Sequence, residues 1–100
     1  MTPKIDEYIK EKDAQALKIA LKNRITIDPS FKEFDALIKY IKQHGIELYE
    51  KHNGKPFEED NSKWDKDYMN TELIRLVTNF SVERVNHLRK VVKFVYKDRL

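Results

Sequence analysis

Two charged segments near the C-terminal end of the sequence hold the residues whose types and spacing suit binding chemistry. In residues 58–67, five carboxylates stand against two lysines, which gives a net charge of −3. Aromatic residues flank and interrupt these acids, and aromatic side chains often dominate the binding energy at protein interfaces. We therefore predict that this acidic-aromatic segment contacts a partner. Its candidate contact residues are Phe57, Glu58, Glu59, Asp60, Trp64, Asp65 and Tyr68.

The second charged segment, residues 82–99, is basic. Six arginines and lysines against two acids give it a net charge of +4, more than the +3 of the whole chain. On a helix, four of these cations fall roughly opposite an apolar stripe, and such a face can hold phosphates or an acidic protein surface. This alternative basic face consists of Arg89, Lys90, Lys93 and Lys97.

Both segments also have a simpler interpretation. Cations near the C-terminal end of a helix complement its dipole, and an amphipathic helix needs a polar side in any case. The acidic-aromatic segment could be a solvated loop whose tryptophan fills the core. The sequence alone leaves open which charged face is used.

The residue types argue against a catalytic or metal site. The chain has no cysteine, which excludes disulfides, thiolate zinc sites and a cysteine nucleophile. Its three histidines are scattered, and the acids of residues 58–67 lack the spacing of a calcium loop. The only glycines, Gly45 and Gly54, cannot form a glycine-rich phosphate loop. We therefore predict a protein that is not an enzyme and that uses no metal and no cofactor.

The composition indicates a small helical protein. Hydrophobic residues make up 40% of the 100 residues, enough for one modest core. There are two glycines and three prolines, fewer turn residues than an all-β fold usually needs. We predict an all-α fold, a compact bundle of four or five helices in a single domain that spans residues 1–100.

The hydropathy pattern shows no membrane or export signal. No apolar run approaches the ~18 residues of a membrane-spanning helix. The N-terminal stretch MTPKIDEYIKEKD is charged throughout, unlike a signal peptide. These features predict a cytoplasmic protein with no membrane partner.

Start signals place the first two helices. Thr2 followed by Pro3 is a favourable helix start, because proline fits the first turn without losing a hydrogen bond. Asp13 can cap a second helix, although one helix running through Asp13 is also compatible with the sequence.

A third helix is expected after Pro29. The residue before a proline avoids the α region, so the chain should be extended at Asp28. The apolar periodicity then favours one helix over residues 29–51, which can be straight or kinked. The alternative is a helix that ends at Gly45, with Ile46 closing a Schellman motif.

The C-terminal half contains one clear loop and two helices. Residues 51–62 carry turn signals, and Ser62 with Asp65 resembles a capping box. Ser81 is the expected cap of the last helix. That helix should bury Val82, Val85, Leu88, Val92 and Val95.

The stretch WDKDYMNTELIRLVTNFSVERVNHLRKVV, residues 64–92, resembles small bacterial toxin-immunity proteins. The resemblance implies a non-catalytic protein-binding module that neutralises a cognate toxin by charge-complementary binding. It carries no individual site residue over to this chain. The alternative, from the residues themselves, is a nucleic-acid backbone binder that uses the basic face, and a third hypothesis is a self-associating helical domain. A protein partner is favoured over nucleic acid.

Overall fold

The computed structural model describes residues 2–98, and within this range the fold is all-α, as predicted. None of these residues forms a β-strand, and no helix among them has the length and apolar character needed to cross a membrane. The chain divides into two compact units, Met1–Leu48 and Tyr49–Leu100. The helices are α1 (Pro3–Glu11), α2 (Ala14–Ile27), α3 (Lys32–Gln43), α4 (Lys66–Thr78) and α5 (Val82–Val95).

In the first unit, α2 packs against both α1 and α3. The Thr2 hydroxyl accepts a hydrogen bond from the Ile5 N–H at 3.3 Å and caps α1. Lys12 adopts a left-handed conformation (φ 56°) that ends α1, and the Asp13 carboxylate caps α2 by accepting from the Ala16 N–H at 3.0 Å. The hypothesis of one helix running through Asp13 is therefore wrong.

The start of α3 is set by Asp28 rather than by Pro29. The Asp28 carboxylate accepts hydrogen bonds from the Ser30 hydroxyl at 2.6 Å and from the Glu33 N–H at 2.9 Å, and these bonds lower the pKa of Asp28. Asp28 itself is non-helical (φ −130°, ψ 89°). The buried Phe31 follows with a left-handed backbone (φ 67°), so α3 begins at Lys32, later than predicted.

The predicted helix over residues 29–51 is wrong, because α3 ends at Gln43. Gly45 has a φ of +81° and donates its N–H to the Lys42 carbonyl at 3.0 Å. The Ile46 N–H then reaches back to the Ile41 carbonyl at 3.4 Å. These two bonds form the Schellman motif of the alternative interpretation, which satisfies two carbonyls that the helix would otherwise leave open.

Replacing Gly45 with alanine should lower the free energy of unfolding by about 1–2 kcal/mol, because a Cβ disfavours a left-handed backbone. No neighbouring atom of the described residues lies within 4 Å of the position of that Cβ, so the loss comes from backbone strain alone. Urea unfolding followed by circular dichroism measures it. Lys39→Ala, at an exposed position of α3, is the control and should change stability by less than about 0.5 kcal/mol. Equal stability of the two variants would mean that the end of α3 relaxes into another conformation.

In the second unit, α4 packs against α5, and each helix has a side-chain cap. Ser81 caps α5 as predicted, accepting from the Arg84 N–H at 3.3 Å. Asp65 caps α4 by accepting from the Tyr68 N–H at 2.8 Å. The predicted capping box at Ser62 is wrong, because Ser62 instead binds the Asp60 carboxylate in a short 3-10 turn.

The last helix buries most of the predicted apolar stripe. Three of the predicted residues are buried, namely Val85, Leu88 and Val92. Val91, which was not predicted, is buried beside Val92. Val82 is 50% exposed, so its predicted burial is wrong: it is the first residue of α5 and extends into solvent. The predicted burial of Val95 is only partly met, since this residue is half-buried in the last turn.

Candidate functional site

Residues 49–65 form an irregular segment that is fixed onto α4 and α5, and this 49–65 segment contains most of the predicted acidic-aromatic site. The connection between α4 and α5 holds its first part. Asn79, which is buried, donates from Nδ2 to the Lys51 carbonyl at 2.9 Å and accepts from the Asn53 N–H at 3.1 Å. The Phe80 carbonyl accepts from the Glu50 N–H at 2.8 Å. The 49–65 segment therefore has a defined backbone position.

A buried ion pair lies beneath the same part of the segment. Arg84 and Glu72 are 1% and 0% exposed, and Arg84 Nη1 donates to Glu72 Oε2 at 2.9 Å. The second carboxylate oxygen of Glu72 accepts from Arg75 at 2.8 Å, while Arg84 Nη2 donates to the Asn53 side-chain oxygen at 3.0 Å. The Arg84 Nε is buried and has no hydrogen-bond partner among residues 2–98. This pair links α4, α5 and the 49–65 segment.

His87 is the centre of an aromatic cluster that holds the later part of the segment. The residue is only 5% exposed, and its ring stacks on Phe57 with the centroids 4.4 Å apart. Phe57 also stacks with His52 at 5.1 Å, and the Arg84 guanidinium lies 5.3 Å from the Phe57 ring centroid. Phe57 is thus used to attach the segment to α5.

The other two predicted aromatic contact residues belong to the same cluster. The Tyr68 hydroxyl lies 2.8 Å from His87 Nε2 and accepts a hydrogen bond from the Glu58 N–H at 3.0 Å. Trp64 donates its indole N–H to the Glu58 carbonyl at 2.7 Å, and its ring meets the His87 ring edge-on at 5.5 Å. Trp64 also meets Phe94 edge-on at 5.8 Å. These aromatic residues position the segment, and all three are only partly exposed.

Burial shifts two pKa values within this cluster. Desolvation lowers the pKa of His87 below its usual 6.5, although nearby carboxylates act in the opposite direction. Desolvation also raises the pKa of Tyr68 above 10.0. At neutral pH both side chains are therefore uncharged, and the Tyr68 hydroxyl can donate its proton to His87 Nε2.

The predicted acidic contact residues lie at the surface of the positioned segment. Glu59, Asp60 and Asp65 are exposed, while Glu58 is partly buried and its carboxylate lies 3.7 Å from the Lys63 ammonium group. Two of these carboxylates also cap local structure. Hydrogen bonds from Ser62 lower the pKa of Asp60, which keeps this group ionised. The structure thus separates the predicted residues into an aromatic anchor and an acidic surface.

The alternative basic face is also present. Lys90 and Lys93 are exposed on α5, and the exposed Lys97 follows the end of the helix with its ammonium group 4.3 Å from the Phe94 ring centroid. Arg89 is partly buried. Arg99, which contributes to the predicted basic segment, lies outside the described residues.

The sequence interpretation missed Glu72, Arg84 and His87 as structural residues of this site. A signal for the ion pair was present: Glu72 lies three residues after Met69 and four before Leu76 on the apolar face of α4, and Arg84 lies four residues before Leu88 on that of α5. Two opposite charges on the facing stripes of consecutive helices indicate a buried pair, because an isolated buried charge is very costly.

Three comparisons bear on family membership. No family model, no curated protein and no solved structure matches the chain. Within residues 2–98, no group of three or more histidine, cysteine, aspartate and glutamate side chains is arranged to hold a metal ion. What the arrangement offers chemically is a negatively charged surface on a backbone that buried contacts hold in place.

Proposed function

We propose that the chain is a non-catalytic protein-binding module that binds a basic partner through the acidic surface of the 49–65 segment and the start of α4. One observation carries this proposal: the aromatic and acidic residues have different positions. Phe57, Trp64 and Tyr68 attach the segment to α5, and the carboxylates remain at the surface. The resemblance to toxin-immunity proteins adds the partner class, a cognate bacterial toxin.

A fixed segment suits binding for an energetic reason. Association loses the entropy of every loop that becomes ordered, so a loop already held by Asn79, Arg84 and His87 loses less. The exposed, negatively charged carboxylates then attract a basic surface through long-range electrostatic forces. This attraction raises the association rate, and the same charges repel acidic competitors. The buried titratable groups support a non-catalytic role, because they bond to one another and to the segment.

The basic face supports a second candidate function, nucleic-acid binding, because Lys90, Lys93 and Lys97 are all exposed on one stretch of chain. Salt separates the two functions. Each phosphate that a protein neutralises releases a counterion, so nucleic-acid affinity falls steeply with salt. A nanomolar dissociation constant for random RNA or duplex at physiological salt would favour this second function, since non-specific contacts give only ~10⁻⁴–10⁻⁶ M.

Neutralising the acidic surface should slow association with the protein partner more than tenfold at low salt, because charge steering changes association rates by factors of roughly 10–1,000. The variant is Glu58→Gln/Glu59→Gln/Asp60→Asn/Asp65→Asn. Asparagine caps a helix about as well as aspartate, so the caps at positions 60 and 65 are kept and the fold is preserved. A lysine at position 60 would lose the hydrogen bond to Ser62. A slower association could then come either from the changed charge or from a less stable segment.

The partner is first captured from the native host with the tagged chain and identified by mass spectrometry, and surface plasmon resonance then compares the variants. Lys90→Gln/Lys93→Gln/Lys97→Gln is the matched control and should leave the association rate unchanged or faster. If the folded acid variant associates at the wild-type rate while the lysine variant is slow, the basic face is the interface and the proposal is wrong.

A further inference from the structure

The segment that carries the acidic surface packs against one buried histidine, His87. Of the three histidines, His44 is exposed, His52 is half-buried and His87 is buried. His87 is the only one that contacts Phe57, Trp64 and Tyr68 together. A charge placed on this ring therefore acts on all three aromatic anchors of the segment at once.

The geometry around His87 fits its neutral form. The Tyr68 hydroxyl oxygen already accepts the Glu58 N–H, and its own proton can be donated to His87 Nε2 at 2.8 Å. In the charged ring both nitrogens carry protons, so Nε2 would donate to this oxygen beside the Glu58 N–H, and the Tyr68 proton would have to turn away from His87. It would also place a second positive charge near the buried Arg84 guanidinium, and like charges repel.

Charged and titratable groups face His87 from every element packed around it. The carboxylates favour its protonation, but Glu72 is already bonded to two guanidinium groups, and Glu59 is exposed to solvent. Burial and the two nearby cations oppose protonation, and burial is the largest influence. The groups are Tyr68 and Glu72 of α4, Glu59 of the 49–65 segment, and Arg84 and Lys90 of α5, while His52 contacts the Phe57 ring that stacks on His87.

We propose that His87 makes the acidic surface sensitive to pH: a proton on its ring releases residues 57–64 from α5 and so removes the positioned carboxylates. Insofar as it concerns partner binding, this rests on the proposed function. The release itself is a property of the chain alone and takes place without a partner.

The direction follows from linkage. The His87 pKa is lower in the docked segment than the usual 6.5, so the released form binds the extra proton more readily. Docking is therefore fully stable above about pH 6.5 and weakens as the pH falls below it. The equilibrium constant for release should be larger at a pH below both His87 pKa values than at a pH above both. The increase is tenfold for each unit of difference between the His87 pKa of the released form and that of the docked form.

Trp64, the single tryptophan, reports the release because its ring lies 5.5 Å from that of His87. Between pH 8 and pH 5 we expect its emission to shift to longer wavelength, and hydrogen exchange of residues 57–64, corrected for intrinsic rates, to become several-fold faster. Far-UV circular dichroism should stay constant over this range. His87→Gln should make the emission independent of pH, and the control His52→Gln, which alters the other histidine stacked on Phe57, should keep the transition.

Three results would overturn the proposal: a transition that survives in His87→Gln, one that disappears in His52→Gln, or a loss of helix signal at the same midpoint. If His87→Gln does not fold, proton NMR titration of the wild-type histidines tests the proposal instead. A His87 pKa at or above 6.5 would reject the mechanism. All of these measurements use the chain alone. A failure to find any basic partner would therefore refute the proposed function and would leave the proposed release of the segment unaffected.

Discussion

Substituting Glu72 with glutamine is expected to lower the free energy of unfolding by about 3–5 kcal/mol, the range found when one partner of a buried ion pair is removed. The shape of the side chain hardly changes. The loss arises because the Arg84 guanidinium stays in the interior without a counter-charge. This group is 1% exposed, and its Nε already lacks a partner in the described part of the chain. Urea unfolding followed by circular dichroism gives the value.

Arg75→Gln is the matched control, because Arg75 bonds to the same carboxylate but its side chain is 44% exposed. Its loss should cost less than about 1 kcal/mol, as is usual for solvent-exposed pairs. Replacing Glu72 and Arg84 together with methionine should be less damaging than Glu72→Gln, since no uncompensated charge remains. Similar losses for Glu72→Gln and Arg75→Gln would show that water reaches the ion pair.

Leu88→Ala should lower the free energy of unfolding by about 2–5 kcal/mol, the usual cost of truncating a fully buried leucine. Leu88 is 0% exposed and lies between Val85 and Val92 on the apolar stripe of α5. The truncation removes buried methyl groups and leaves a cavity that neighbouring side chains fill only in part. Thermal or urea unfolding measures the effect.

Val82→Ala is the control for this truncation, because Val82 lies on the same helix but is half-exposed. It should change stability by less than about 0.5 kcal/mol, and the better helix propensity of alanine offsets part of any loss. A Leu88→Ala cost below about 0.5 kcal/mol would contradict the assignment of the buried face of α5.

The features that the sequence predicts well are local. Thr2, Asp13 and Ser81 cap helices because a short polar side chain reaches an N–H only three residues ahead. The burial of Val85 and Leu88 follows from helical spacing in the same way. In each case the deciding contact lies within one or two turns, so no knowledge of the tertiary structure is required.

The end of α3 shows where periodicity stops being informative. Leu48 lies on the continued apolar stripe and is buried, so the pattern fits both a long helix and a helix followed by an extended chain. The backbone bonds from Gly45 and Ile46 decide between the two, and both alternatives were compatible with the sequence. A local choice of this kind depends on a small free-energy difference that residue spacing does not encode.

The site could be predicted only in part, because its aromatic and acidic residues have different roles. The sequence places Phe57, Trp64 and Tyr68 close to the acids along the chain. It could not show that all three rings meet His87, since that depends on how a loop crosses a helix some 19–30 residues further along. The burial of His87 likewise depends on the segment that covers it.

The order in which the second unit folds follows from the bonds that hold the 49–65 segment. The helices α4 and α5 are consecutive in the chain, and contacts between near neighbours form early because little chain must be closed. The bonds from Asn53 to Asn79 and Arg84 span 26 and 31 residues, and closing such loops carries a larger entropic penalty. The helical pair should therefore form first and the segment should dock afterwards. In native-state fluctuations the same segment is the part expected to open first, so the acidic surface would be lost and regained while α4 and α5 stay folded.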